Sequence, residues 1–302
     1  GGTPYTLSGG NFNINLGTTD FGQIAHSFDI NWLLTDTLGN TTTVTGTRRF
    51  EVNRDMNIPQ NLSNGLDMTL DSIWTKVKRP RLTFIINDPD SIDNANNLKY
   101  QVLVRNTDNT STIVYPSAGN FYINQLNNTY NFEPTADLND DYYYWGVSNT
   151  DYRGVVLQST YGGTGNPVFK IDNTPPLSTI TSPATGYLNS LSAITGTASD
   201  SAGSRTGVGI KTIKIRVTSN DAPTNKYLSY NGSTYSWVST DTWHTITTSS
   251  GIYTITKNQS QGTATYAMSF TNADIWGQSG HSFKFDVQAI DRLGNVQATN
   301  TT

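Results

Sequence analysis

Cysteine is absent from this 302-residue chain, which excludes disulfides and thiolate metal sites. Charge is scarce too: only 14% of residues are charged, and 19 basic against 23 acidic residues leave a net charge of -4. That balance provides no electrostatic footprint for nucleic acid or an anionic membrane surface. Glutamate is confined to Glu51 and Glu133, and histidine to His26, His244 and His281. A glycosidase built on paired glutamates would have to use both of the former, which fall in different parts of the chain. No His-Glu-x-x-His, Gly-x-Ser-x-Gly, Gly-x-Gly-x-x-Gly or phosphate-loop pattern occurs. A non-enzymatic protein is the expectation. Apolar runs are short, with nothing near the roughly 20 residues of a membrane helix, and no window of eleven or more residues carries a helical period.

What the chain has is aromatic and neutral polar. Sixteen Tyr and six Trp are too many for a disordered chain, which lacks the apolar area to offset the entropy of ordering. Thr, Tyr, Val and Ile favour strands, while Asn, Asp, Gly and Ser supply turns. Period-two alternation runs through 81–86, 98–105, 142–147, 168–171, 210–217, 253–256 and 281–289, as expected of half-buried strands. Short strands separated by turn clusters point to β-sandwiches.

A duplication fixes the organisation. The segment from His26 to Asn40 recurs from His281 to Asn295, a shift of 255 residues, with seven of fifteen positions identical. Internal repeats of this kind mark tandem arrays. Module ends are marked a second time by Phe169-Lys-Ile-Asp-Asn-Thr-Pro-Pro176 and, more weakly, by the stretch from Phe50 to Pro59. Proline cannot donate to a ladder and extends the residue before it, so each stretch reads as a strand running into a short, stiff linker. The expected division is a partial module over 1–53 (strands at 12–16, 26–35 and 44–52), a sandwich over 54–172, and a sandwich over 173–302 lacking its final strand. The opening Gly-Gly-Thr in place of Met suggests a mature product or an excised fragment.

Asp291-Arg-Leu-Gly-Asn295, Asp36-Thr-Leu-Gly-Asn40, Asp172-Asn-Thr-Pro-Pro176 and Gly196-Thr-Ala-Ser-Asp200 together resemble the tandem Ig-like repeats of large bacterial surface proteins, of the adhesin, S-layer-associated or filament type. The middle module departs from the pattern, with Asp151-Tyr-Arg-Gly154 and Ile86-Asn-Asp-Pro-Asp90 in the matching places. The resemblance implies an all-β fold of tandem Ig-like sandwiches, an extracellular or cell-surface location, and a structural or adhesive role. It does not specify an activity.

Two chemistries remain open. Hard cations take oxygen ligands, so Asp172, Asp200 and Asp291 form a candidate Ca2+ set, which the family pattern would place at one end of the last sandwich. Asp88, Asp90 and Asp151, with Asp55, would be the middle module's equivalents. Simple turn formation explains the same residues, because Asp and Asn initiate turns by bonding their own backbone. Aromatic clusters at Tyr142–Trp145 and at Tyr235, Trp237 and Trp243 could stack on a glycan, or one parity, Tyr143 and Trp145, could fill the core. The acidic run Asp137–Asp141 reads as a solvated turn. For partners, the unfinished modules suggest neighbouring modules of a longer chain or copies of itself joined head to tail by strand addition, which would build a filament. The alternatives are a glycan- or protein-binding adhesin module and an accessory region of a secreted carbohydrate-active enzyme.

Overall fold

The computed structural model describes residues 27–51, 59–65, 67–87, 99–107, 113–115, 121–122, 128–150, 156–162, 167–221, 224, 226–271, 273–276 and 281–301. The strand expected at 12–16, most of the first linker, and Asp55, Asp88, Asp90 and Asp151 lie outside these residues. The all-β architecture expected from sequence is the one observed, and the only helices among the described residues are two 3-10 turns, Gln259–Gln261 and Ala273–Trp276.

The first module contributes the hairpin β1 (Ser27–Thr35) and β2 (Thr41–Glu51), paired antiparallel from Ser27↔Glu51 to Thr35↔Thr41. The second comprises β3 (Gln60–Ser63), β4 (Trp74–Thr75), β5 (Leu82–Ile86), β6 (Lys99–Asn106), β7 (Ile113–Tyr115), β8 (Phe121–Tyr122), β9 (Asn128–Phe132), β10 (Asp141–Thr150), β11 (Val156–Tyr161) and β12 (Phe169–Ile171). One sheet has the order β3-β5-β9; the other runs β4-β12-β10-β6-β7, with β11 also on β10 and β8 also on β6. The alternation read in the sequence becomes the core. Leu82, Phe84 and Ile86 point in from β5, against Val102 and Val104 of β6, Tyr143, Trp145 and Val147 of β10, and Phe169 and Ile171 of β12. Trp145 is fully buried, and its Nε1 donates to Asn64 Oδ1 (2.9 Å), whose Nδ2 donates to the Val168 carbonyl (2.6 Å).

The third module comprises β13 (Leu177–Ser182), β14 (Ala193–Ser199), β15 (Ser201–Ala202), β16 (Arg205–Thr206), β17 (Ile210–Ser219), β18 (Tyr227–Tyr230), β19 (Tyr235–Val238), β20 (His244–Ile246), β21 (Tyr253–Asn258), β22 (Thr263–Ser269), β23 (Phe283–Asp291) and β24 (Asn300–Thr301). Its sheets are β13-β14-β22-β21 and β19-β18-β17-β23-β24, with β20 also on β17. Ile213, Ile215 and Val217 from one sheet meet Ile194, Tyr266 and Met268 from the other. Gln297 ties the two sheets together: its Oε1 accepts from Ser178 and from the Ala289 N–H (3.0 Å), and its Nε2 donates to the Ser178 carbonyl (3.1 Å). β24 pairs with β23 at Val287↔Asn300 and Asp286↔Thr301, so a short strand follows the Leu-Gly-Asn turn in the module expected to lack its final strand.

Gly196, in the early Gly-Thr-Ala-Ser-Asp segment, lies opposite Tyr266 on the neighbouring strand. The tyrosine crosses the space a side chain would need and donates its hydroxyl to the Thr179 carbonyl (2.8 Å). A Cβ at 196 would run into that carbonyl oxygen and into the Tyr266 ring and hydroxyl. Gly196→Ala should therefore lower the unfolding free energy by about 1–3 kcal/mol, the usual cost of overpacking. Tyr187→Ala at an exposed site should stay within about 0.5 kcal/mol. Urea titrations of the two variants check this; equal effects would refute the packing argument.

Candidate metal centre at the module junction

The chain passes from the second to the third module through five residues, between the end of β12 at Ile171 and the start of β13 at Leu177. Both modules hold this linker. Asp140, just before β10, accepts from the Asn173 N–H (2.9 Å), the Asn173 side chain (3.3 Å) and the Thr174 hydroxyl (2.7 Å). From the other side, Asn295 Nδ2 donates to the Asp172 carbonyl (3.1 Å), and the Val208 N–H donates to Asp172 Oδ2 (2.8 Å).

Around the linker the modules touch directly. Trp74 of β4 joins Ala202 and Val208 in a small apolar cluster with Leu70, Ile73, Tyr142 and Leu293. The Tyr142 hydroxyl donates to the Thr206 carbonyl (2.6 Å), and the Tyr142 ring meets Trp74 edge-on, with Lys170 Nζ above it at 4.1 Å. Arg205 Nε donates to Asp141 (3.1 Å), and Arg292 pairs with Asp71 (2.8 Å). Gly203, at φ +61, turns the β15–β16 hairpin against the Asp140 carbonyl, where no side chain would fit. The run 137–141 is thus more than a solvated turn. Asp137 pairs with Arg79, while Asp140 and Asp141 bond the linker and the next module.

Three carboxylates converge at this end of the third module. Asp172 from the linker, Asp200 after β14 and Asp291 at the end of β23 are buried, and each offers an oxygen within 4.8 Å of the others. The sequence-derived set for the third module is therefore brought together. Whether the middle module's set of Asp88, Asp90 and Asp151 converges falls outside the described residues. None of the three converging carboxylates has a salt-bridge partner among the described residues. Burial pushes the Asp172 carboxyl up to about 6, with Asp291 adding to it, and the Asp200 carboxyl up to about 7, with Asp172 adding to it. Asp291 is raised as well, again by burial.

The duplicated turn separates what the turn needs from what the cluster adds. At Asp291, the Asn295 N–H donates to Oδ1 (2.8 Å) and Asn295 Nδ2 to Oδ2 (2.6 Å), with Gly294 at φ +85. At Asp36 the same bonds come from Asn40 (2.9 and 2.8 Å), with Gly39 at φ +86. The turn-forming role is common to both copies, and positive φ explains both glycines. The exposed Asp36 carboxyl is held down by its Asn40 hydrogen bonds, whereas the buried Asp291 carboxyl is pushed up despite the same bonds. Burial is the difference. A trio of buried carboxylates can share protons or hold a divalent cation.

The other candidates are placed differently. Tyr143 and Trp145 fill the second core. Trp237 stacks on Phe283 at 5.5 Å and donates to the Ile275 carbonyl (3.0 Å), while Arg216 lies 4.6 Å from the Trp243 ring. His244 is buried between the Tyr253 hydroxyl (2.8 Å) and the Leu228 carbonyl (3.0 Å), with its pKa lowered by burial. His281 is exposed, 3.7 Å from Asp221. Glu133 pairs with Arg81 at 3.1 Å.

No family model and no curated protein matches the chain. Among solved structures it is similar to the chicken CNTN1 FN1-FN3 domains at 11% identity, covering 89% of this chain and 75% of that one, with a TM-score of 0.23. It is similar to an alpha-L-rhamnosidase from Dictyoglumus thermophilum at 10% identity, covering 83% of this chain and 29% of that one, with a TM-score of 0.25. Superpositions this loose carry no functional argument, and the sandwich assignment rests on the sheets described above.

Raised carboxyl pKa values have a definite sign in stability. The contribution of Asp172 and Asp200 is fully present below their ordinary value of 3.8 and is lost as pH rises through about 6 and about 7. His244, with a lowered pKa, works in the opposite sense, so the test is a difference. In chelator, the melting temperature of the wild-type chain relative to the Asp172→Asn/Asp200→Asn variant should fall between pH 5 and pH 8. A constant difference would show that these carboxyls are not perturbed.

Proposed function

We propose that the chain is a non-enzymatic structural or adhesive protein of the extracellular surface, a run of sandwich modules that acts as a stiff spacer within a surface array or filament. The observation that carries this reading is the bonded junction. Two sandwiches are joined by a five-residue linker held from both sides and by an apolar cluster, where a flexible connection would leave the linker solvated. The β1–β2 hairpin repeats the turn of the β23–β24 segment, which supports an array of like units. In such an array the neighbours are further modules of a longer chain or other copies of this one, joined head to tail.

Immunogold electron microscopy of source cells, with antibodies against the second and third modules, tests the proposal. Label on the outer surface or along fibres is the expected result. Label confined to the cytoplasm would overturn it.

A further inference from the structure

We infer that Asp172, Asp200 and Asp291 form a binding site for a divalent cation, Ca2+ by its ligand chemistry, that fastens the linker to the third module. Each carboxylate comes from a different stretch of chain, and one of the three is the linker residue itself. Asp172 and Asp291 already accept hydrogen bonds at both carboxylate oxygens. Asp200 is different. Its Oδ2 accepts from the Gly209 N–H (2.6 Å), but its Oδ1 is buried with no hydrogen-bond partner. A buried carboxylate oxygen left unpaired is costly, so native structures supply such atoms with a partner or an ion.

The surroundings favour a cation over a proton shared among the three. Oxygens within 4.8 Å of one another fit around one ion at bond lengths of about 2.4 Å, as in Ca2+ sites. Backbone crowds the carboxylate of Asp200 on one side: a Cβ at Gly207 would collide with it. Glycine at 207 leaves the carboxylate its room there and supplies no charge to neutralise it. Mg2+ demands a near-ideal octahedron and keeps several waters, which suits a closed set of three hydrogen-bonded carboxylates less well. Because Asp172 belongs to the linker, and Asp200 and Asp291 to the third module, the ion would tie the same two parts that Asn295 and Val208 already bridge. The binding site stands on these residues alone. Only its role in stiffening a spacer rests on the proposed function, and surface labelling tests that separately.

Titration calorimetry and thermal melting of the chelator-treated full chain at pH 7.5, with CaCl2 and with MgCl2 as separate probes, test the inference. CaCl2 should bind with a Kd below about 1 mM and raise the melting temperature by roughly 5 °C at saturation, with a smaller effect of MgCl2. Asp200→Asn should fold, melt at or above the chelated wild type because one buried charge is gone, and lose the response to CaCl2. A purely structural Asp200 would instead give a destabilised variant. Terbium luminescence provides a readout if Asp200→Asn folds poorly: signal in the wild type should be displaced by CaCl2. No heat, no thermal shift and no displacement in the wild type would overturn the inference, as would an Asp200→Asn chain that responds like the wild type.

Discussion

The junction depends on how Asp172 is satisfied. Its carbonyl and one carboxylate oxygen accept from Asn295 and Val208 of the third module, its other carboxylate oxygen accepts from the Thr174 N–H within the linker, and the Asn173 N–H donates to Asp140 of the second module. Buried backbone groups must find such partners. Two prolines follow, and they remove two further donors while holding the chain extended. Little conformational freedom is left to the linker once these bonds form. The aromatic cluster around Trp74 and the pairs Arg205–Asp141 and Arg292–Asp71 then close the remaining gap.

Magnitudes rank these contacts. The two ion pairs are partly exposed, and such pairs contribute about 0–1 kcal/mol each. Burial of Trp74 and Val208 contributes more, roughly 1.5–3 kcal/mol for a fully buried large side chain. Against these stands the cost of bringing three carboxylates together out of water. That cost grows with pH through the range in which Asp172 and Asp200 ionise. The junction is therefore where stability is most sensitive to what neutralises those groups.

Much of the fold was legible in the sequence, because period-two alternation marks strands. The runs 81–86, 98–105, 142–147 and 210–217 fall on β5, β6, β10 and β17. β22 was not legible: its inward residues are Ala264, Tyr266 and Met268, two small or flexible side chains around one aromatic, and its outward residues are Thr263, Thr265, Ala267 and Ser269. The two-residue strands β4, β15 and β16 are too short to carry an alternating pattern. Asp291 was marked by the duplication and Asp172 by the linker, while Asp200, and the grouping of the three at one end, came only from the resemblance to tandem Ig-like repeats. Asp140, Tyr142 and Arg205 were not legible. Each is an ordinary loop or strand residue until the neighbouring module is in position, and spacing along one chain does not report that.

With the linker bonded on both sides, the second and third modules should move as one body. Nitrogen-15 relaxation of the full chain measures this most directly, through the rotational correlation times of amides in β5, β6 and β10 against those in β14, β17 and β23. One shared correlation time is expected, with residues 172–176 as ordered as the strands on either side. Two shorter, independent correlation times with a mobile 172–176 segment would contradict it.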